Sequence, residues 1–242
     1  MPVKAYNTRL LVDQFDMSAD TAGLNLSLAA EAIEAPALQA SAAQYIGGNA
    51  KGTIEQNGYW NGGAAGLIDN EIYSRLGTET PCIVSVCFDT TAVGNPAYTQ
   101  QTTWASQMNI DAPVDGLLAM ANKFEDLTSR GLCVAHGTIS ATGGQTIIDF
   151  GTAGTNGAWA ALHVRAITGT ATNATFTVQH STTLGFGSPS TLISFTALSA
   201  VGAQVATAAG SVNRYIRLNC TSLGGATSLA VTAIVGVTGV TG

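Results

Sequence analysis

Residues 51–63 read KGTIEQNGYWNGG. In an extended chain, side chains alternate between faces, so Thr53, Glu55 and Asn57 share one face and Ile54, Gln56 and Trp60 the other. Asn61-Gly62-Gly63 then supplies residues that tolerate positive φ and turn a chain sharply. The stretch reads as a strand that ends at Trp60 and runs into a corner. Just beyond it, GLIDNEIYSRLG (66–77) repeats Ile68, Ile72 and Leu76 every fourth residue, with Leu67 widening the stripe and Gly77 as a stop. This spacing predicts a helix. Trp60 is then a packing anchor, set against the helix 66–76 or a neighbouring subunit. The competing reading makes Tyr59 and Trp60 a platform that stacks on a sugar ring.

On the N-terminal side, VKAYNTRLLVD (3–13) reads as a strand, and LNLSLAAEA from Leu24 sets Leu24, Leu26 and Leu28 against Asn25, Ser27 and Ala29. On the C-terminal side, CIVSVCF is a strand, followed by a turn at Gly94-Asn95-Pro96 and a Thr/Gln-rich segment at 98–109. Residues 114–127 fit strand or helix equally. GLCVAHGTIS (131–140) closes this part, and Ala141-Thr142-Gly143-Gly144 has the composition of a linker. Short strands separated by Gly/Ser/Thr turns then follow: QTIIDF, AWAALHVRAI, ATFTVQHS, TLISFTAL, VNRYIRLNC and TSLAVTAIVGV. Several alternate clearly, with Leu162 and Val164 opposing His163 and Arg165. Such a series has the signature of a small β-sandwich. The expected division is therefore a first β domain over 1–141 and a second over 145–242.

Only 10% of the 242 residues are charged, against about 25% in ordinary globular chains, while 46% are hydrophobic and 28 are Gly. That composition suits a surface largely covered by other copies better than the charged skin of an isolated enzyme. All 15 Asp and Glu lie at or before Asp149, so the chain to that point is net −9 and the remainder, with Arg165, Arg214 and Arg217, is net +3. Neither part carries a Lys/Arg cluster, which disfavours tight nucleic-acid binding by phosphate neutralisation. MPVKAYNTRLL lacks the apolar segment of a signal peptide. The apolar run Leu229 to Val240 is broken by Thr and Gly and is too short to span a bilayer. Cys82, Cys87, Cys133 and Cys220 form no C-x-x-C pair and read as buried free thiols.

No motif carries chemistry. G-x-S-x-G, G-x-x-x-x-G-K-[ST], H-E-x-x-H and a G-x-G-x-x-G between strand and helix are all absent from the sequence. His136, on the face of Leu132 and Val134, and His180, on an apolar strand face, read as structural. His163 sits beside Arg165 on a polar face, open to a partner but paired with no nucleophile. Asp13, Asp16 and Asp20 lack calcium-loop spacing and a twelfth-position Glu, so no metal is expected there. The N-x-[ST] triplets at Asn25, Asn173 and Asn219 acquire meaning only on a secretory route.

Taken in order, an Asp-Met-Ser loop, LNLSLAAEAIEAPAL, AQYIGGNAKGTIEQNGYWNGG and a short helix before LGTETPCIVSV resemble the major tail tube proteins of long non-contractile-tailed bacteriophages. GAWAALHVRAITGTATNATFTVQHS and VNRYIRLN are similar to the accessory sandwich that many of them carry. The resemblance implies a mainly β chain: a tail-tube-type β-barrel or sandwich with one short flanking helix, plus a C-terminal immunoglobulin-like β-sandwich. It implies a structural virion protein, assembled in the host cytoplasm, whose hexameric rings stack into a tube. Its partners would be itself, a tape-measure protein and tail terminator or tip proteins. Genomic DNA would pass without specific binding during ejection, with no membrane, cofactor, metal or catalytic residue involved. Thr53, Glu55 and Asn57 would face the lumen, where polar and acidic residues let DNA slide rather than stick. Barrel closure across subunits would also remove exposed strand edges. The family's long inter-ring loop corresponds by position to LQASAAQYIGGNA (38–50), which departs from the pattern in carrying no charge.

The alternatives are a capsid decoration or other virion surface protein, also oligomeric and inert, and a carbohydrate-binding module that uses Tyr59 and Trp60. An enzyme ranks last.

Overall fold

The computed structural model describes residues 7–34, 45–64, 66–78, 81–89 and 93–238. The chain is mainly β, with one α-helix among the described residues. In order, the strands are β1 (Arg9–Val12), β2 (Phe15–Asp16), β3 (Thr21–Glu34) and β4 (Tyr45–Tyr59). Helix α1 (Ile68–Tyr73) follows, then β5 (Cys82–Cys87), β6 (Pro96–Thr103), β7 (Ala105–Asp111) and β8 (Ala119–Ile139). Next come β9 (Gly143–Gly144), β10 (Ile148–Asp149), β11 (Ala158–Gly169), β12 (Thr175–Ser181) and β13 (Ser190–Ser194). The last are β14 (Gly202–Ala208), β15 (Tyr215–Ser222) and β16 (Ala226–Val237).

The chain divides into two compact units: one of residues 1–19, 83–99 and 129–242, the other of residues 20–82 and 100–128. The join expected at 141–145 lies inside the first unit. There, Gly143 and Gly144 are not a free linker; they pair with Cys220 and Asn219 on β15. The physical reason is long-range pairing, because β16 hydrogen-bonds to β8 from Leu229↔Ile139 to Val235↔Leu132. That ladder ties the last strand of the chain to one that composition assigns to the other domain.

In the first unit, one sheet runs β14-β11-β16-β8-β6-β5-β1-β2 and a second runs β10-β15-β12-β13, with β9 beside β15. Leu162, Val164, Val231, Val235, Phe176, Val178, Ile216 and Leu218 fill the main core, drawn from facing residues of both sheets. A smaller core of Cys87, Ala97, Cys133, Trp159, Ala161 and Ile234 lies on the opposite face of β11 and β16. Strand β11 is thus buried on both faces, which explains its nearly continuous apolar run AWAALHV. Four strand spacings separate β11 from β5 in the sheet order, about 19 Å if the sheet were flat. Yet Ser85 on β5 hydrogen-bonds His163 on β11 at 2.8 Å. The sheet therefore curls over the smaller core. No backbone pairing among the described residues joins its two edges, so the curl stops short of a closed barrel.

At the turn into β11, Gly157 has φ +87°, and a Cβ there would lie 2.2 Å from the Ala208 carbonyl oxygen. Only glycine permits that approach at that φ.

The second unit is a four-stranded antiparallel sheet in the order β3-β4-β8-β7. Leu26, Ile54, Phe124 and Ala105 stand in one cross-strand row on its inner face, and Ile54, Phe124 and Ala105 are fully buried. Ile68 and Ile72 of α1 are buried as well, and α1 packs against β7. The helix is shorter than the spacing predicts. Its last turn tightens to i→i+3 bonds, Arg75 N to Ile72 O and Leu76 N to Tyr73 O, and Leu76 then bridges to Ala105. Pairing with a strand wins over the last helical turn, and Gly77 follows at φ +63°.

Candidate functional site

The strand parity read for residues 51–59 extends across the whole second sheet. Glu55 on β4 stands between Asn25 of β3 and Lys123 of β8, and Gln107 of β7 completes the row. Asn57, Ala121 and Asn109 form the next row, and Ser27, Thr53 and Glu125 another. Thr53, Glu55 and Asn57 therefore lie together on one open, polar sheet face. Asn25 Nδ2 donates to Glu55 Oε2 at 3.2 Å, and Lys123 Nζ lies 2.7 Å from Glu125 Oε1. That ion pair raises the Lys123 pKa and lowers that of Glu125. A shallow depression between Glu55, Asn57, Gln107, Asn109 and Lys123 marks the centre of the face. The face is carboxamide-rich and nearly balanced in charge. The unit that bears it holds 11 Asp and Glu against 3 Lys and Arg, net −8, whereas the other unit has 4 against 6, net +2.

Among the described residues, the outer edge of β3 pairs with no other strand, and that of β7 is taken only at Ala105, by Arg75–Gly77. The hairpin between β7 and β8 ends in an apolar tip, where Val114 is 99% and Leu117 73% exposed, with Ile110, Leu118 and Tyr59 also exposed. The sequence leaves this tip inside the stretch 114–127, which fits strand or helix equally. Of the expected inter-ring segment 38–50, residues 45–50 belong to β4, and 38–44 lie outside the described residues.

Trp60 is half-buried at the strand-to-helix corner. Its Nε1 donates to Asp69 Oδ1 at 2.9 Å in the first turn of α1, and its backbone N continues the β4–β8 ladder by donating to Leu118 O. A Cβ on Gly62 would fall 2.3 Å from the indole, so the turn glycine lies against the ring. Trp60→Phe keeps an aromatic ring but removes the indole N–H, so the Asp69 carboxylate loses that donor. It should cost about 1–2 kcal/mol, read as a lowered denaturant midpoint at unchanged m-value.

His163 is not on a polar surface. It is 0% exposed, because β11 has a second core on the face that alternation marks as polar. Its Nδ1 lies 2.6 Å from the Asp13 carbonyl oxygen, which can only accept, so Nδ1 carries the proton. Nε2 accordingly accepts from Ser85 Oγ at 2.8 Å, and Ser85 Oγ accepts from Thr99 Oγ1 at 2.9 Å. Ser85 and His163 have the contact distance of a nucleophile and its base, but in a sealed core where each polar atom serves its neighbour. His136 Nδ1 bonds Thr232 Oγ1 at 2.9 Å, and His180 Nδ1 accepts from Asn213 N at 3.0 Å.

Burial lowers the pKa of all three histidines, and that of His136 falls to about 4, with Arg165 and Arg9 adding to the effect. A histidine held neutral in the fold stabilises it fully above the unfolded value of about 6.5. That contribution is lost as pH falls through 6.5 towards 4. The thermal midpoint should therefore drop across this window, by a loss on the order of 1–2 kcal/mol for the half-buried His136 after solvent screening. His136→Gln should flatten the slope, as read by calorimetry at stepped pH.

All four cysteines are buried. Asp13, Asp16 and Asp20 serve different partners, namely Ile83 N, Ser18 and Asn61, and no group of three or more metal-ligating side chains occurs among the described residues.

No family model and no curated protein matches the chain. Among solved structures it is similar to a chain of the anti-feeding prophage tube-terminating cap, at 10% identity over 54% of this chain and 91% of that one, TM-score 0.42. It is also similar to a chain from the tail of an empty gene transfer agent particle, at 10% identity over 51% and 94%, TM-score 0.37. The Dit protein of phage SPP1, a hub adsorption apparatus protein, matches at 10% identity over 95% and 99%, TM-score 0.33. At these TM-scores the likeness does not define a shared fold.

Proposed function

We propose that this chain is a structural protein of a phage-type tail, the subunit of a tube through which the genome passes. The observation that carries this reading is the second unit's sheet: one largely polar open face, one mostly buried face, and edges on β3 and on β7 beyond Ala105 that pair with no other strand among the described residues. A free edge of 14-residue β3 is a standing template for pairing, and proteins that keep one usually cover it with another chain. A ring in which β7 of one copy lies beside β3 of the next covers both open edges of this sheet at once. Six copies is the number implied by the family resemblance. In that ring the face of Thr53, Glu55 and Asn57 lines the lumen. Carboxamides and balanced charge offer DNA no run of cations to bind, so it slides. Trp60 holds the ring wall by pinning α1 to the sheet, and the apolar 112–118 tip serves contact between rings. Tail partners such as a tape-measure and a terminator protein follow from the same reading, as does a place in the virion.

Sedimentation velocity over a concentration series tests it. Growth from monomer to hexamer and higher multiples is expected. A trimer that goes no further would point to capsid decoration instead, and a persistent monomer at high concentration would remove the proposal.

A further inference from the structure

A second polar cluster lies in the first unit, where the curled sheet brings β1, β2, β8 and β11 together. Arg165 Nη1 lies 3.4 Å and Arg9 Nη1 3.8 Å from the same oxygen, Asp16 Oδ2. Asp16 Oδ1 is already taken by Ser18, whose N lies at 3.1 Å and whose Oγ lies at 2.5 Å. Two guanidiniums thus share one oxygen of a carboxylate that is otherwise occupied, leaving one positive charge over. The Nε atoms of both arginines are buried and have no acceptor among the described residues. Solvent nevertheless reaches both side chains, which are 38% and 19% exposed.

Two partly desolvated guanidiniums that share one carboxylate oxygen are costly, and the planar fork of each fits the paired oxygens of carboxylate or phosphate. The His136 pKa is lowered first by burial and then by Arg165 and Arg9, with Asp16 offsetting part of the arginines' effect.

We propose that Arg9 and Arg165 form a binding site for an oxyanion, either inorganic phosphate or a carboxylate of a second copy of this chain. Both present the same chemistry to the fork, and a second copy supplies many carboxylates from a unit of net −8. The site stands independently of any role in a tail.

The test is a titration of the full chain with sodium phosphate against sodium chloride at matched ionic strength. It is followed by thermal midpoint and by the His136 ring resonances. Phosphate should raise the midpoint and move the His136 titration upward, because a bound anion offsets the two arginines. Arg9→Gln, the more exposed of the pair, should weaken apparent phosphate affinity tenfold or more while leaving the phosphate-free fold intact. Arg165→Gln should do the same, with Arg9→Gln deciding if that variant does not fold. Sedimentation in saturating phosphate separates the two sources. Dissociation of assemblies identifies a second copy's carboxylate as the natural occupant, and unchanged assemblies identify a free anion. An equal response to phosphate and chloride, or a phosphate response that survives both substitutions, would overturn the site.

Discussion

The double variant V114D/L117D is expected to remain folded and to lose assembly. Val114 and Leu117 are among the most exposed large apolar side chains in the chain, and they sit on a turn closed by Gly116 N donating to Pro113 O. Replacing exposed side chains that touch no core costs a fold within about 0.5 kcal/mol per site. The same change places two carboxylates where the proposed contact between rings must be dry. Burying an unpaired charge costs several kcal/mol, and each 1.4 kcal/mol is tenfold in affinity, so association should weaken by at least about a hundredfold. Sedimentation at matched concentration reads the loss, and a thermal scan checks that the midpoint moves by less than about 2 °C. Undiminished assembly would take the tip out of the interface.

Phe124→Ala is expected to have the largest effect on stability. Phe124 is fully buried on β8, flanked in its row by Ile54 and Ala105, which are also fully buried. Removing a buried phenyl ring forfeits its transfer free energy and leaves a cavity, together about 3–5 kcal/mol. For a chain of this size that lowers the midpoint by about 6–20 °C. Calorimetry should show the loss first in the transition of the unit formed by residues 20–82 and 100–128. A variant that melts like the parent would contradict the assignment of Phe124 to that core.

Residues 51–59 were legible because alternation is a local signal. Thr53, Glu55 and Asn57 do share a polar face, and Trp60 does reach the helix. Their neighbours on that face, Asn25, Lys123 and Gln107, were not legible, because cross-strand register is set by pairing between residues as far apart in sequence as Glu55 and Lys123. His163 was misplaced for a related reason. Alternation separates two faces of a strand, but it does not say that both are buried, and β11 is covered on each side. Strand β14 (GAQVATA) escaped notice because Ala and Gly give alternation little amplitude. Residues 114–127 stayed ambiguous because they straddle an exposed apolar tip and the start of a 21-residue strand. Composition placed a boundary at 141–145. Contacts divide the chain elsewhere, because β8 contributes residues to both units.

The most direct test of the account is electron microscopy of the assembled protein at a resolution that traces strands. The account predicts sixfold rings stacked into a tube, with β3 and β7 paired across subunits and Thr53, Glu55 and Asn57 on the lumen wall. Rings whose lumen is lined by other residues, trimers, or a protein that stays monomeric at every concentration would contradict it.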